Sequence, residues 1–148
     1  MRGEILNAVR NVLLDIEDVD GMSPFKHIAL WNRNVEFADQ EEPWERPAVF
    51  LEFGPIEWHH DRASPVERCS MRCTPELSLH LVLDARDCEM RGQLPMQMFL
   101  CDLLMRSLTG LSGETFSGMA PVRELSNHDH GELLEEVVVM RYMGHVSY

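Results

Sequence analysis

His59-His60-Asp61, followed by Cys69 and Cys73, brings imidazole nitrogen and thiolate sulfur into one stretch, the donors from which a tetrahedral zinc shell is built. The spacing limits the idea. On an extended chain Cys69 and Cys73 stand ~13 Å apart at ~3.3 Å per residue, too far for one ion, so a site there needs a turn. Adjacent histidines on a strand also point to opposite faces. The competing reading is exposed loop histidines beside unligated thiols. His128-Asp129-His130 offers side chains suited to acid-base or metal chemistry. It falls within Asn127 to Gly131, however, where Asn, Asp and Gly serve turn geometry, and no second polar cluster is placed to complete a catalytic centre. The chain has no Gly-rich phosphate loop, nucleophile elbow, HExxH or Walker-type segment, and Ser112-Gly113 belongs to a helix-ending loop. We therefore expect no enzyme activity and no cofactor, with a small zinc-stabilised binding domain (His59, His60, Cys69, Cys73) as the alternative.

A second kind of chemistry is electrostatic. From Val35 to Arg46 the chain carries five acids in twelve residues, interrupted by Pro43 and Trp44, which predicts an exposed loop. Arg62, Arg68 and Arg72 cluster around the middle of the chain with the opposite sign. If the two regions lie on opposite flanks, copies of the chain joined head to tail would pair acid with base and could close a ring. The interface residues expected on this basis are Glu41, Glu42 and Trp44 on one edge and Arg62, Arg68 and Arg72 on the other. The alternative is a solvated surface with both charges scattered. Trp44 has no obvious core to enter and could anchor a partner, or it could fold back onto its own domain. Lys26 is the only lysine among 13 basic residues. Arginine's planar fork suits carboxylate pairing at interfaces, although GC-rich codon usage would give the same bias. A net charge of −12 argues against nucleic acid as a partner, because phosphate binding draws on clustered cations.

The elements that must position these groups follow from periodicity. Ile5, Leu6, Val9, Val12, Leu13 and Ile16 recur at helical spacing, and Asp18-Val19-Asp20-Gly21 breaks that helix. Phe25 to Trp31 reads as a first strand, and Ala48 to Phe53 as a second, which Gly54-Pro55 ends or bends toward Ile56 and Trp58. His59 to Val66 reads as a loop or hairpin tip. In Glu76 to Leu83 the leucines alternate strictly, the clearest strand signal in the chain. A helix over Leu94 to Leu108, with Pro95 in its first turn, turns Met98, Cys101, Leu104, Met105 and Leu108 inward and ends at Gly110 and Gly113. Phe116 to Ser126 and the β-branched run within Glu132 to Met143 form a closing hairpin. The expected order is α-β-β-β-α-β-β: an α+β fold in which two main helices pack on a mixed, mostly antiparallel sheet of about five strands. We expect one domain over 1–148, with exposed loops near 33–47 and 59–72.

At 148 residues the chain has size enough for a core without covalent staples. Cys69, Cys73, Cys88 and Cys101 are too few and irregular for a disulfide framework, and reduced thiols in a cytosolic setting are expected. No apolar run approaches the ~20 residues of a spanning helix, and the N-terminus lacks the pattern of a secretory signal.

The element order resembles a family. An amphipathic helix, a strand ending Leu30-Trp31-Asn32, an acidic loop, the RPAVFLEF strand (Arg46 to Phe53), a leucine-alternating strand, a helix and a hairpin turning at NHDHGEL are similar to the tail-completion or tail-terminator proteins of long-tailed phages and prophages. The resemblance covers most of the chain. It implies an α/β domain that assembles as a ring, often sixfold, where tail tube meets head connector, stopping tube polymerisation without catalysis. The implied partners are copies of itself, the tail tube and head-connector proteins, with no direct nucleic-acid or membrane contact. The implied location is the bacterial cytoplasm during assembly, then the virion tail. The family has no catalytic residues to carry over, and its interfaces vary too much for residue-level transfer.

Overall fold

The computed structural model describes residues 1–32, 44–60, 70–84, 94–127 and 132–147, and the backbone alone at 90–91. Glu41 and Glu42 in the acidic stretch, Arg62, Arg68 and Cys69, Cys88, and His128 with His130 lie outside the described residues.

Helix α1 (Arg2–Leu14) follows the apolar stripe, with Ile5, Val9 and Leu13 fully buried at four-residue spacing. It stops short of Ile16 because polar groups take over its end. The Ser23 hydroxyl donates to the Leu13 carbonyl at 2.7 Å, the Asp18 carboxylate accepts from the Val19 N–H, and Gly21 adopts φ 77°.

Among the described residues seven strands form the sheet: β1 (His27–Leu30), β2 (Ala48–Phe53), β3 (His59–His60), β4 (Ser70–Cys73), β5 (Glu76–Asp84), β8 (Phe116–Asn127) and β9 (Leu133–Ser147). A short ribbon of β6 (Met90–Arg91) and β7 (Leu94–Pro95) precedes α2 (Met96–Leu108). β1 lies parallel to β2, and every other pairing is antiparallel. The fold is α+β, as expected, but with more strands than five.

The pairing along β9 explains the difference. Its Leu133–Arg141 portion pairs with β5 and its Gly144–Ser147 portion with β4, while β8 takes the other edge. β4 and β5 thus continue one another, broken at Thr74-Pro75, where the Pro75 carbonyl accepts from the Tyr142 N–H. β2 and β3 follow the same course outside them, broken across Gly54–Trp58. Gly54 sits at that break because its N–H donates to the Glu76 carbonyl, leaving a side-chain carbon only 3.1 Å from that oxygen. The result is one long, bent hairpin. His59, His60 and Ser70–Arg72, expected in a loop, stand on β3 and β4 at the far end of that hairpin.

Strand alternation sorts the core into two faces. Leu77, Leu79, Leu81 and Leu83 of β5, Val49 and Leu51 of β2, and Val138, Met140 and Tyr142 of β9 join the helices in the main core. Ala48, Phe50 and Val82 form a smaller cluster on the other face with Ala29, Trp31, Trp44 and Leu133. On α2 the buried stripe is Leu100, Cys101, Leu104 and Leu108, and the expected inward residue Met98 is 55% exposed. At 100° per residue Met98 lies about 120° around the helix from Leu104, at the rim of the stripe. Gly110 closes α2 with φ 83°, a left-handed turn that a residue with a side chain resists.

Candidate interaction surfaces

The sheet face turned away from the helices carries the polar chemistry. Because the β5 leucines point at the helices, Glu76, Ser78 and His80 point the other way. There they stand in register with Glu52 and Phe50 of β2 and with Val137, Val139 and Arg141 of β9.

His80 is the centre of this face. Its Nδ1 lies 2.5 Å from Glu135 Oε1 and its Nε2 2.7 Å from Glu52 Oε2. Both ring nitrogens are thus engaged at once, which fixes the orientation of the imidazole between the two carboxylates. The Trp31 ring lies flat on the imidazole, centroids 4.0 Å apart and planes at 6°, and Phe50 meets Trp31 edge-on. Glu135 is 2% exposed, and its second oxygen accepts from Asn127 Nδ2 at 3.1 Å. Glu52 is half exposed. One buried histidine therefore ties β2, β5, β8 and β9 together by charge-assisted hydrogen bonds.

Next to it, at the hairpin bend, opens a cleft of about 620 Å³ whose walls include Glu52, Glu57, His59, Glu76, Ser78 and Arg141. Glu76 accepts from both terminal nitrogens of Arg123, at 3.2 and 2.6 Å, and from Arg141 at 3.0 Å. The hydrogen bonds from Arg123, then those from Arg141, hold its carboxyl below the usual value of 4.5. The groups are exposed, and such networks orient side chains more than they stabilise a fold. The cleft is ringed by fixed charges of both signs, suited to gripping a charged side chain.

Beyond the cleft the ladder places His59 opposite Arg72 and Arg72 opposite His145. All three are exposed, on three adjacent strands and one face. Leu125 of β8, 52% exposed, extends this face on the far side of Val137.

The residues singled out from the sequence are distributed as follows. His59 and His60 alternate along β3, His59 beside Arg72 and His60 beside Met71. Cys73 is buried, set against Gly144, and burial pushes its thiol up. Among the described residues no group of three or more His, Cys, Asp or Glu gathers to hold a metal ion. Trp44 packs on its own domain: its ring meets Phe50 edge-on at 5.0 Å, stacks near His27 at 6.4 Å and lies under the Arg46 guanidinium at 5.2 Å. Arg46 is fixed in turn by Asp84 at 2.6 Å. Trp31, before the acidic stretch, and Trp44, within it, are held beside β1 and β2, whereas His60 ends β3 and Ser70 begins β4 on either side of 61–69.

Sequence reasoning missed the His80 network. The leucine alternation alone puts His80 on the opposite face of β5. Its partners stand 28 and 55 positions away, a distance that no local pattern spans.

No family model matches the chain, and no curated protein matches it. Among solved structures, a chain in the virion of a native gene transfer agent (GTA) particle is similar over 80% of this chain and 78% of that one, with 10% identity and a TM-score of 0.47. An overlap of that extent carries no argument about function.

Proposed function

We propose that this chain is a structural assembly protein of a phage or prophage tail, similar to tail-completion and terminator proteins, and that it works by forming a ring with copies of itself at the junction of tail and head. The observation that carries the reading is the arrangement of the segments on which the resemblance rests. The LWN strand, the RPAVFLEF strand, the leucine-alternating strand and the closing hairpin build one mixed sheet, with both helices packed on the same face. The other face carries charged and aromatic groups beside a small apolar cluster, and a ring subunit needs such a face or edge to offer its neighbours. The proposed role is non-catalytic. Its partners are other copies, the tail tube and the head connector.

The test is the mass of the full chain in solution from micromolar to millimolar concentration, alone and with purified tail tube. A ring, alone or on the tube, is the expected result. A monomer that neither self-associates nor binds the tube refutes the proposal.

A further inference from the structure

We propose that the outer edge of β8 over residues 123–127 pairs with the same residues of a second copy, antiparallel, about a two-fold axis at Leu125; this goes beyond the ring reading and does not rest on it. β8 pairs with β9 along one edge, and among the described residues no strand lies along the other. The first part of that free edge is covered by the turn after α2, where Met119 donates to the Leu111 carbonyl at 3.3 Å and accepts from the Gly110 N–H at 2.7 Å. Pro121, which has no N–H, and the register shift between Pro121 and Arg123 then blunt it. Past the shift nothing blunts it, and Arg123, Glu124, Leu125 and Ser126 are all exposed.

The register fixes which backbone groups face out. The Tyr142 N–H turns to the Pro75 carbonyl, on the side of β4 and β5, so strand alternation turns the backbone groups of Glu135, Val137 and Val139 toward β8. Opposite them stand Asn127, Leu125 and Arg123, which leaves the N–H and C=O groups of Glu124 and Ser126 directed outward. Two copies related by an axis normal to the sheet meet in few registers, because residues opposed across a ladder share a face. An axis at Arg123 sets two guanidinium groups together, and one at Glu124 sets two carboxylates together. An axis at Ser126 shortens the overlap to residues 125–127. With the axis at Leu125, Glu124 faces Ser126 of the second copy, so the outward N–H groups of both copies meet carbonyls. Arg123 then faces Asn127 of the second copy, and Leu125, 52% exposed in one copy, is covered by its own equivalent.

A second copy is favoured as the occupant because these five residues are their own complement, with like charges kept apart in a single register. Five paired residues bury well under the ~1,200 Å² at which stable interfaces begin, so the contact is weak and reversible. It closes on two copies, whereas a ring needs head-to-tail contacts, and the two surfaces are separable.

Sedimentation equilibrium on the full chain from micromolar to millimolar concentration tests the assignment. A dimer is expected, tightened by salt, which screens the net charge of −12 on each copy. Leu125→Lys and Leu125→Glu should each weaken it by about 10-fold or more, since the residue faces its own equivalent and like charges then meet. An equal mixture of the two variants should restore it. Ser126→Pro removes an outward N–H and should weaken it too, whereas Leu30→Lys on β1, at the far edge, should leave it unchanged. Circular dichroism confirms that each variant is folded. At millimolar concentration the Glu124 and Ser126 amides should exchange with deuterium more slowly than at micromolar concentration. A wild-type chain without a dimer at millimolar concentration, association that ignores the Leu125 variants, or a mixture that fails to rescue it overturns the pairing. A ring that forms regardless of the Leu125 variants leaves the ring reading standing. A dimer that obeys them, with no ring alone or on the tail tube, upholds the pairing and removes the ring.

Discussion

Glu135 and Glu52 grip the same imidazole from opposite sides at nearly equal distances, yet they should differ severalfold in what they contribute. Glu135 has a side chain 2% exposed and lies 2.5 Å from His80, itself 10% exposed. Glu52 lies 2.7 Å away but is 49% exposed. Removing the buried carboxylate leaves the His80 Nδ1 position without its partner and costs about 1–3 kcal/mol. Breaking the contact whose carboxylate is half in water costs about 0–1 kcal/mol. Glu135→Ala should therefore lower the unfolding free energy several times more than Glu52→Ala. The cost of Glu135→Ala is mainly the stranded partner, so replacing both members should hurt less than removing one. His80→Leu/Glu135→Leu, set among Phe50, Val82 and Val137, should cost clearly less than the two single changes added together. Urea unfolding at neutral pH, with tryptophan fluorescence and circular dichroism as independent probes, gives the free energies by linear extrapolation. Equal costs for Glu135→Ala and Glu52→Ala, or strict additivity in the double variant, would refute the claim that burial sets the strength of this network.

Four further outcomes follow from the structure. Glu4 on α1 is held below the usual value of 4.5, first by the Thr115 hydroxyl and then by the Glu114 and Thr115 N–H groups, while burial opposes them. Its contribution is therefore full above pH 4.5 and lost as pH falls through the lowered value, so an acid titration of Glu4→Gln should approach the wild-type curve in that window; a gap that stays constant to low pH refutes it. Burial, with Glu136, Glu124 and Asp102 adding, pushes the Cys101 thiol up to about 12, so at about pH 8 it should alkylate only as fast as the chain unfolds, which mass mapping of labelled peptides would show. Leu79→Ala, at a fully buried position in the central strand, should cost about 3–5 kcal/mol by urea unfolding, and a loss below about 1 kcal/mol would contradict the core described. The Tyr142 hydroxyl is buried and has no hydrogen-bond partner among the described residues, so Tyr142→Phe should keep or raise the melting temperature; a fall of several degrees by calorimetry would reveal a partner.

Where a residue's environment depends on its immediate neighbours in the chain, the sequence predicted it well. The stripe Ile5, Val9 and Leu13 and the leucines of β5 are buried as their spacing implies, because a helix or strand presents every third-to-fourth or every second side chain to one side whatever lies opposite. The closing hairpin and the glycine stop after α2 were legible for the same reason. Met98 was misplaced because spacing defines a stripe only to within about a third of a turn, and the helix's partners choose its centre. β3 and β4 were read as loop because strands of two and four residues carry too little alternation to detect. Their pairing is supplied by β9, which runs past β5 and on along β4.

The polar face belongs to tertiary structure altogether. His80 meets Glu52 and Glu135, Glu76 meets Arg123 and Arg141, and Arg72 falls between His59 and His145, only because antiparallel register brings distant segments level. Sequence by itself determined which side chains leave the core, since local periodicity is a property of the backbone's own repeat. Register across the sheet decided which of them meet, since a shift by one residue would turn every such group to the other face and dissolve the network.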